Sequence, residues 1–448
     1  MLPLSHDPLT HSSANLLEFD RLREILGAYA VSSLGRDKIA ALTPTKDREW
    51  INRQQQLTEE IRNYLRSGSR FEFSGLLDPK SLLEKSRILG ATLETTELRD
   101  IIIVVDRAAE WREIALHPPA AMQNAWPHIE DLSSVVQDFT PLLRYFRNKI
   151  LPDGTLDDRA SPELAAIRRE IDKQKKLIQD SLHGYMRRLA EGGAVQEELV
   201  TIRGERFVIP IKAEQKRRVN GVVHGASSSG QTVFIEPLET IEQNNELVRL
   251  LEEEQAEVHR VLLEMTRRVA EQSDAISAAT DVLAELELQF AKSRFAEDYN
   301  CVSATLTSSD LHLDGARHPV LERNLKVKGG SVVPISLDLH GEQRQLVISG
   351  PNTGGKTVAL KTIGLLALMA QSGIPVPAEK ADIPVFDAVF ADIGDYQSIE
   401  QNLSTFSAHV ARIDFVSNVV TRDSLVLLDE LGSATDPEEG AALAVAIA

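Results

Sequence analysis

At 448 residues the chain is long enough for roughly two to four domains, and its 42% apolar content excludes a disordered chain. Charged residues make up 26% and aromatics only 5%, a balance that favours long helices with salt-laced surfaces. The net charge of −18 excludes a uniformly phosphate-binding surface, and the single cysteine, Cys301, excludes a disulfide framework or a thiolate metal cluster.

The first residues, MLPLSHDPLT, lack the basic and apolar regions of a secretory signal, and no apolar run approaches the roughly 20 residues of a membrane span. A cytoplasmic protein with no membrane partner is the expectation. Residues 15–135 read mostly as helices, because LLEFDRLREILGAYAVSSLGRDKIAAL spaces its apolar residues by three and four. LRDIIIVVDRAAEWREIAL is ambiguous, its centre reading as a buried strand and its flanks as helix. No chemistry stands out here, and the stretch is assigned to a packed helical core.

SPELAAIRREIDKQKKLIQDSLHGYMRRLAEGG opens on a Ser161-Pro162 helix start and closes on Gly192-Gly193. Leu164, Ile167, Ile171, Ile178, Leu182, Tyr185 and Leu189 make one narrow apolar stripe. From Leu238 onward, Ile241, Val248, Leu251, Val258, Leu262, Met265 and Val269 fall on heptad a and d positions, with Asn244 and Gln255 on the same seam. The first helix is basic and the second acidic. An antiparallel coiled-coil arm is one reading; packing of both stripes on a larger core is the other.

Between the two helices, β-formers at 200–202, 207–211 and 233–235 predict a small β unit. Lys212, Lys216, Arg217 and Arg218 sit there in one turn-rich segment, which suits nucleic-acid phosphates or is simply a solvated surface. Residues 161–220 hold 13 Lys/Arg against 9 Asp/Glu, so a local basic surface is compatible with an acidic chain.

From Leu311 the texture changes to alternating strand and helix signals, which predict a parallel, helix-flanked sheet. QRQLVIS reads as a strand, GPNTGGKT as a Gly-rich turn, and TVALKTIGLLALMAQSG as a helix. The turn fits a phosphate loop made of Gly350, Pro351, Asn352, Thr353, Gly354 and Gly355, whose glycines let backbone N–H groups close around phosphate oxygens. Lys356 reaches the β- and γ-phosphates, and the Thr357 hydroxyl ligates Mg²⁺. Asp429 ends the apolar run LVLLD, where a carboxylate points at a metal beyond the strand's end. Glu430 beside it suits a general base that polarises the attacking water. The structural alternative, an acidic pair that merely caps the next turn, is disfavoured by the phosphate loop 73 residues before Asp429.

In NLSTFSAHV, Ser404 and Thr405 precede a helix that carries Phe406, Val410 and Ile413. An N-cap is the simple reading. In an ABC-type ATPase the same placement offers hydroxyl and helix N-terminus to the γ-phosphate held by a partner subunit. The spacing leaves no room for the large helical subdomain of membrane-transporter ATPases.

Together, ARHPVL, GPNTGGKT, LSTF and LLDELGSATDP resemble the MutS family of DNA-repair ATPases. LLEFDRLREILGAYAVSSLGR, SSSGQTVFIEP and DIGDYQSIEQNLSTFSAH look like its second bacterial subfamily, and the match runs from Leu16 to the end of the chain. The resemblance implies a multidomain α plus α/β protein with three parts. These are a helical core and lever over 1–160, a coiled-coil clamp over 161–296 with a β insert near 196–237, and an ABC-type P-loop NTPase domain with a mainly parallel sheet over 297–448. It implies a homodimer with two composite ATP·Mg²⁺ sites in which Gly350 to Thr357 cradle ATP, Asp429 holds Mg²⁺ and Glu430 activates water. Ser404 and Thr405 would act across the dimer, and Asp436 would lie at that interface.

The implied partner is branched DNA in the control of recombination, with splitting of collided ribosomes through ribosomal RNA as the alternative. An SMC or Rad-type chromosome ATPase is a further alternative, disfavoured because the predicted arm precedes both nucleotide motifs. Two departures stand out. KGGSVVPISLDL lacks the aromatic on which relatives stack adenine, and the family's next strand with its phosphate-sensing His, and its nuclease domain, would follow Ala448.

Overall fold

The structure, a computed structural model, describes residues 13–123, 126–190, 199–340, 343–351, 354–393, 404–430 and 437–447. The chain forms two compact units: Met1–Asp78, Arg107–Asp138 and Ala278–Ala448 make the first, Pro79–Asp106 and Phe139–Ser277 the second. The helices run α1 (Phe19–Gly27), α2 (Ser33–Ala40), α3 (Arg48–Arg66), α4 (Lys80–Ser86), α5 (Thr95–Leu116), α6 (Pro127–Ser133), α7 (Thr140–Phe146) and α8 (Pro162–Ala190). Strands β1 (Thr201–Arg203), β2 (Arg206–Lys212), β3 (Gly221–Ala226) and β4 (Thr232–Pro237) come next, then α9 (Ile241–Glu271) and α10 (Ser273–Asp298). The remainder alternates β5 (Thr305–Thr307), β6 (Leu311–Ala316), α11 (Pro319–Val327), β7 (Ile335–Leu339), α12 (Lys356–Gln371) and β8 (Lys380–Pro384). It ends with β9 (Val389–Asp392), α13 (Ser404–Val419), β10 (Leu425–Leu428) and α14 (Pro437–Ile447). Among the described residues no helix is long and apolar enough to cross a membrane.

The ambiguous stretch inside α5 is helical throughout. Leu98, Ile101, Val104, Val105, Ala108 and Trp111 recur by three and four and are all fully buried, which a strand with side chains alternating between two faces would not achieve.

In the second unit α8 and α9 run antiparallel. Ser161 meets Glu257, Arg168 meets Glu254 at 2.7 Å, Gln174 donates to the Gln243 carbonyl at 2.8 Å, and Arg188 meets Glu239 at 2.7 Å. The basic and acidic helices therefore pair as their charges suggest, although the exposed Arg188–Glu239 pair contributes under about 1 kcal/mol. The heptad assignment is only partly realised. Asn244, Leu247, Leu250, Val261, Met265, Thr266 and Val269 are the buried positions, whereas Ile241, Val248, Leu251, Val258 and Leu262 are half-buried and Gln255 is exposed.

The reason is the sheet β1-β2-β4-β3, antiparallel throughout, which packs on the helix pair and turns its seam. Phe207, Ile209, Ile211, Val233 and Ile235 share one apolar cluster with Ile171, Ile178, Leu182, Leu247 and Leu250. Asn244 is polar on this seam for a local reason. Its side chain accepts the Phe207 N–H at 2.9 Å and donates to the Phe207 carbonyl at 3.1 Å. Continuing the β2–β4 register puts Pro237 opposite Phe207, and proline has no N–H to offer.

In the first unit one apolar cluster joins Leu17, Leu22 and Leu26 to Phe295, Leu313, Leu365, Met369, Ile383 and Leu427. A second set, Tyr64, Phe71, Phe73, Trp111, Trp126 and Phe290, packs edge-to-face, tilted or stacked at centroid distances of 4.9–6.1 Å, drawing 107–138 into this unit. The strands here are of mixed direction. β9 and β10 form a parallel pair, while the sheet β5-β8-β6-β7 has one parallel and two antiparallel pairings. The strand expected at QRQLVIS is absent from residues 343–349, where Leu346, Val347 and Ile348 are exposed. A strand needs a ladder partner as well as β-formers, and a cavity separates this segment from β10.

Candidate active site

Helix α12 starts at Lys356 because Gly355 takes φ +81°, a left-handed conformation open to glycine at no steric cost. Gly354 donates its N–H to the Pro351 carbonyl at 2.9 Å, and Lys356 folds back to donate to the Gly350 carbonyl. Asn352 and Thr353 lie outside the described residues, as does Asp436. The Thr357 hydroxyl donates to Asp429 Oδ2 at 2.6 Å. The two groups assigned to the metal are thus brought together from the first turn of α12 and the end of β10. Glu430 is exposed and has φ +49°, a backbone region that a residue with a side chain seldom adopts and that marks stored strain.

A cavity of about 1030 Å³ opens beside these groups. Gly350, Lys356, Asp429 and Glu430 line its polar part, and Leu346, Val347, Val416, Val426 and Leu428 its apolar part. The donors suit Mg²⁺: one carboxylate and one hydroxyl, both oxygen, with no group of three His, Cys, Asp or Glu able to hold a metal among the described residues. Mg²⁺ at such sites draws its remaining ligands from phosphates and water.

Ser404 and Thr405 are the first residues of α13, so they lie within the helix's first turn rather than before it. Lys212, Lys216, Arg217 and Arg218 are exposed and belong to the second unit, Lys212 ending β2 and the others in the short 3-10 helix Ala213–Arg218 that follows.

Several contacts at this site have no sequence signal of their own. Leu17, fully buried, packs where α12 meets β10: a Cβ on Gly364 would stand 2.5 Å from Leu17 and 2.6 Å from Leu427. Ser13 Oγ accepts the Ala391 N–H at 3.1 Å, and Lys361 pairs with Glu18 at 3.1 Å. His318 caps α11, its Nδ1 accepting the Leu321 N–H; burial pushes its pKa down to about 4, with Glu18 opposing that shift and Lys361 adding to it. At the end of β9, Asp392 accepts from Arg412 of α13 at 3.2 Å, and its carbonyl accepts the Asp429 N–H at 3.0 Å. Only spacing along the chain was legible for these residues, and their partners lie up to 378 positions away.

Residues 346–448, which hold Gly350 to Thr357, Asp392, Arg412, Asp429 and Glu430, match the profile of MutS domain V. The chain is 42% identical to a protein named Endonuclease MutS2 from Pelotomaculum thermopropionicum, over 96% of this chain and 54% of that protein. Endonuclease MutS2 of Alkaliphilus oremlandii is 38% identical over 98% of this chain and 55% of its own, and that of Bacillus velezensis 38% over 96% and 54%. The chain belongs to the MutS family and is of the MutS2 type. It spans about half the length of the curated relatives it matches.

Proposed function

We propose that this chain is the ATP-hydrolysing part of a nucleic-acid-associated MutS2-type protein, with 297–448 acting as an ABC-type P-loop NTPase domain. The observation that carries the reading is the Thr357–Asp429 hydrogen bond, which joins the phosphate loop to the acidic strand end. On this reading the parallel β9–β10 pair is part of the domain's sheet. Backbone N–H groups of the Gly350–Gly355 loop, other than at Pro351, which has none, hold phosphate oxygens at the start of α12. Lys356, released from the Gly350 carbonyl, turns to the β- and γ-phosphates. Thr357 and Asp429, whose side chains already meet, would hold Mg²⁺, which would supply positive charge beside the transferred phosphoryl group. Glu430 orients and polarises the attacking water. Ser404 and Thr405, with the α13 N-terminus, complete the site of a second copy in a homodimer, so that ATP binding closes the dimer and hydrolysis reopens it.

The relatives' name, endonuclease, supports a nucleic-acid target, and branched DNA bound through the Lys212–Arg218 turn is the reading adopted. In the full-length protein Glu430→Gln is expected to lower ATP hydrolysis by about 10²–10⁴-fold while ATP still binds. A wild-type rate in that variant rejects the general-base assignment. Stimulation of hydrolysis by four-way DNA junctions supports the DNA reading; stimulation by collided ribosomes alone replaces it with ribosome rescue.

A further inference from the structure

We propose that Asp392 and Arg412 are a positioning pair that ties the helix lent to a partner's nucleotide to the strand end holding this subunit's own metal ligand. The proposal rests on the composite-site reading above.

Asp392 is the last residue of β9, and its side chain is only 2% exposed. Its carboxylate accepts from Arg412 Nη1 at 3.2 Å, while its backbone carbonyl accepts the Asp429 N–H at 3.0 Å. One residue therefore touches both α13 and the end of β10. Around it Phe390, Ala391 and Ile393 are buried and apolar. A carboxylate in such surroundings is costly to desolvate, and packing alone is served as well by an apolar side chain. What the charge adds is direction: a guanidinium–carboxylate contact fixes distance and angle, whereas apolar surfaces slide.

Arg412 lies eight residues past Ser404, about 12 Å along the helix. Ile413, Val416 and Ser417 of the same helix line the cavity, so α13 has open volume along one side and a charged tether at Arg412. When ligand replaces the Thr357–Asp429 hydrogen bond, a shift of Asp429 passes through the Asp392 carbonyl and carboxylate to Arg412. From there it reaches Ser404 and Thr405 at the helix start. The pair thus tells the helix serving one site whether the other site is filled.

The test uses mixed dimers of two full-length chains. A donor with Lys356→Ala lends its α13, and an acceptor with Ser404→Ala keeps its phosphate loop, leaving one intact composite site. Arg412→Gln in the donor is expected to lower kcat roughly tenfold to hundredfold with KM for ATP unchanged. The same substitution in the acceptor leaves the rate near that of the parent mixed dimer. Asp392→Asn repeats this asymmetry, and Arg412→Lys in the donor recovers part of the rate. Equal losses in both placements, or loss only in the acceptor, overturn the proposal, because a purely structural or same-site role predicts those patterns. A mixed dimer inactive before any Arg412 substitution overturns the composite-site reading itself, and the pair falls with it.

Discussion

The sheet of β1 to β4 and the parallel pair β9–β10 are both small, yet they are held by different means. In the four-stranded sheet, ladder hydrogen bonds and a shared apolar cluster do the holding, and Asn244 fills the gap that Pro237 leaves opposite Phe207. The parallel pair has four residues in each strand, and side chains make the decisive contacts around it: Ser13 on Ala391, Arg412 on Asp392 and Thr357 on Asp429. Ladder bonds persist as long as the fold does, whereas side-chain bonds can be exchanged for bonds to a ligand. The β9–β10 pair also has its ladder and buries Val389, Ala391 and Leu427 in the core, so on the proposed reading the Thr357–Asp429 contact beside it is the one a ligand replaces.

The greatest loss that probes this contrast falls on the rigid side. Asn244→Ala strands the Phe207 N–H and carbonyl in a buried place, and should cost about 3 kcal/mol in chemical denaturation. A loss under about 0.5 kcal/mol would mean that the sheet does not depend on this bond.

An effect of similar size is expected at His318, which caps α11 near Glu18 and Lys361. Its folded pKa of about 4 lies below the ordinary 6.5, so between these values the unfolded chain binds more protons than the folded one. His318 therefore contributes stability that is present above pH 6.5 and is lost as the pH falls towards 4, by up to about 3 kcal/mol. His318→Asn, which keeps a helix cap, should flatten the fall in stability over that window; an unchanged pH profile would remove His318 from the account.

The least change in stability comes from replacing Lys212, Lys216, Arg217 and Arg218 with Gln. These exposed residues should alter stability by under about 0.5 kcal/mol, yet weaken nucleic-acid binding and flatten its salt dependence. Undiminished binding would move the nucleic-acid surface elsewhere.

Much of this was legible in the chain itself, because local pattern and local chemistry coincide. The Gly-rich loop, the start of α12 and the strand ending at Asp429 follow from backbone demands within a few residues. The structure ends β10 at Leu428, with Asp429 next. What was not legible depends on distant partners. QRQLVIS has the composition of a strand but no ladder neighbour, and residues 343–349 take no regular structure. The heptad register put Gln255 on the seam, where the structure leaves it exposed. Periodicity describes two helices alone, and here a sheet packs on them as well. Gly364 in α12 reads as a mild helix weakness until Leu17 and Leu427 are seen to need its missing side chain.

The trans role of Ser404 and Thr405 and the Asp392–Arg412 coupling stand on a nucleotide shared between two copies, and complementation addresses that premise without intermediaries. Full-length Lys356→Ala and Ser404→Ala proteins should each hydrolyse ATP scarcely at all, and mixing them should restore hydrolysis. Each mixed dimer then pairs one chain's Lys356 with the other's Ser404. A mixture that forms mixed dimers yet stays as inactive as its parents would refute the shared site.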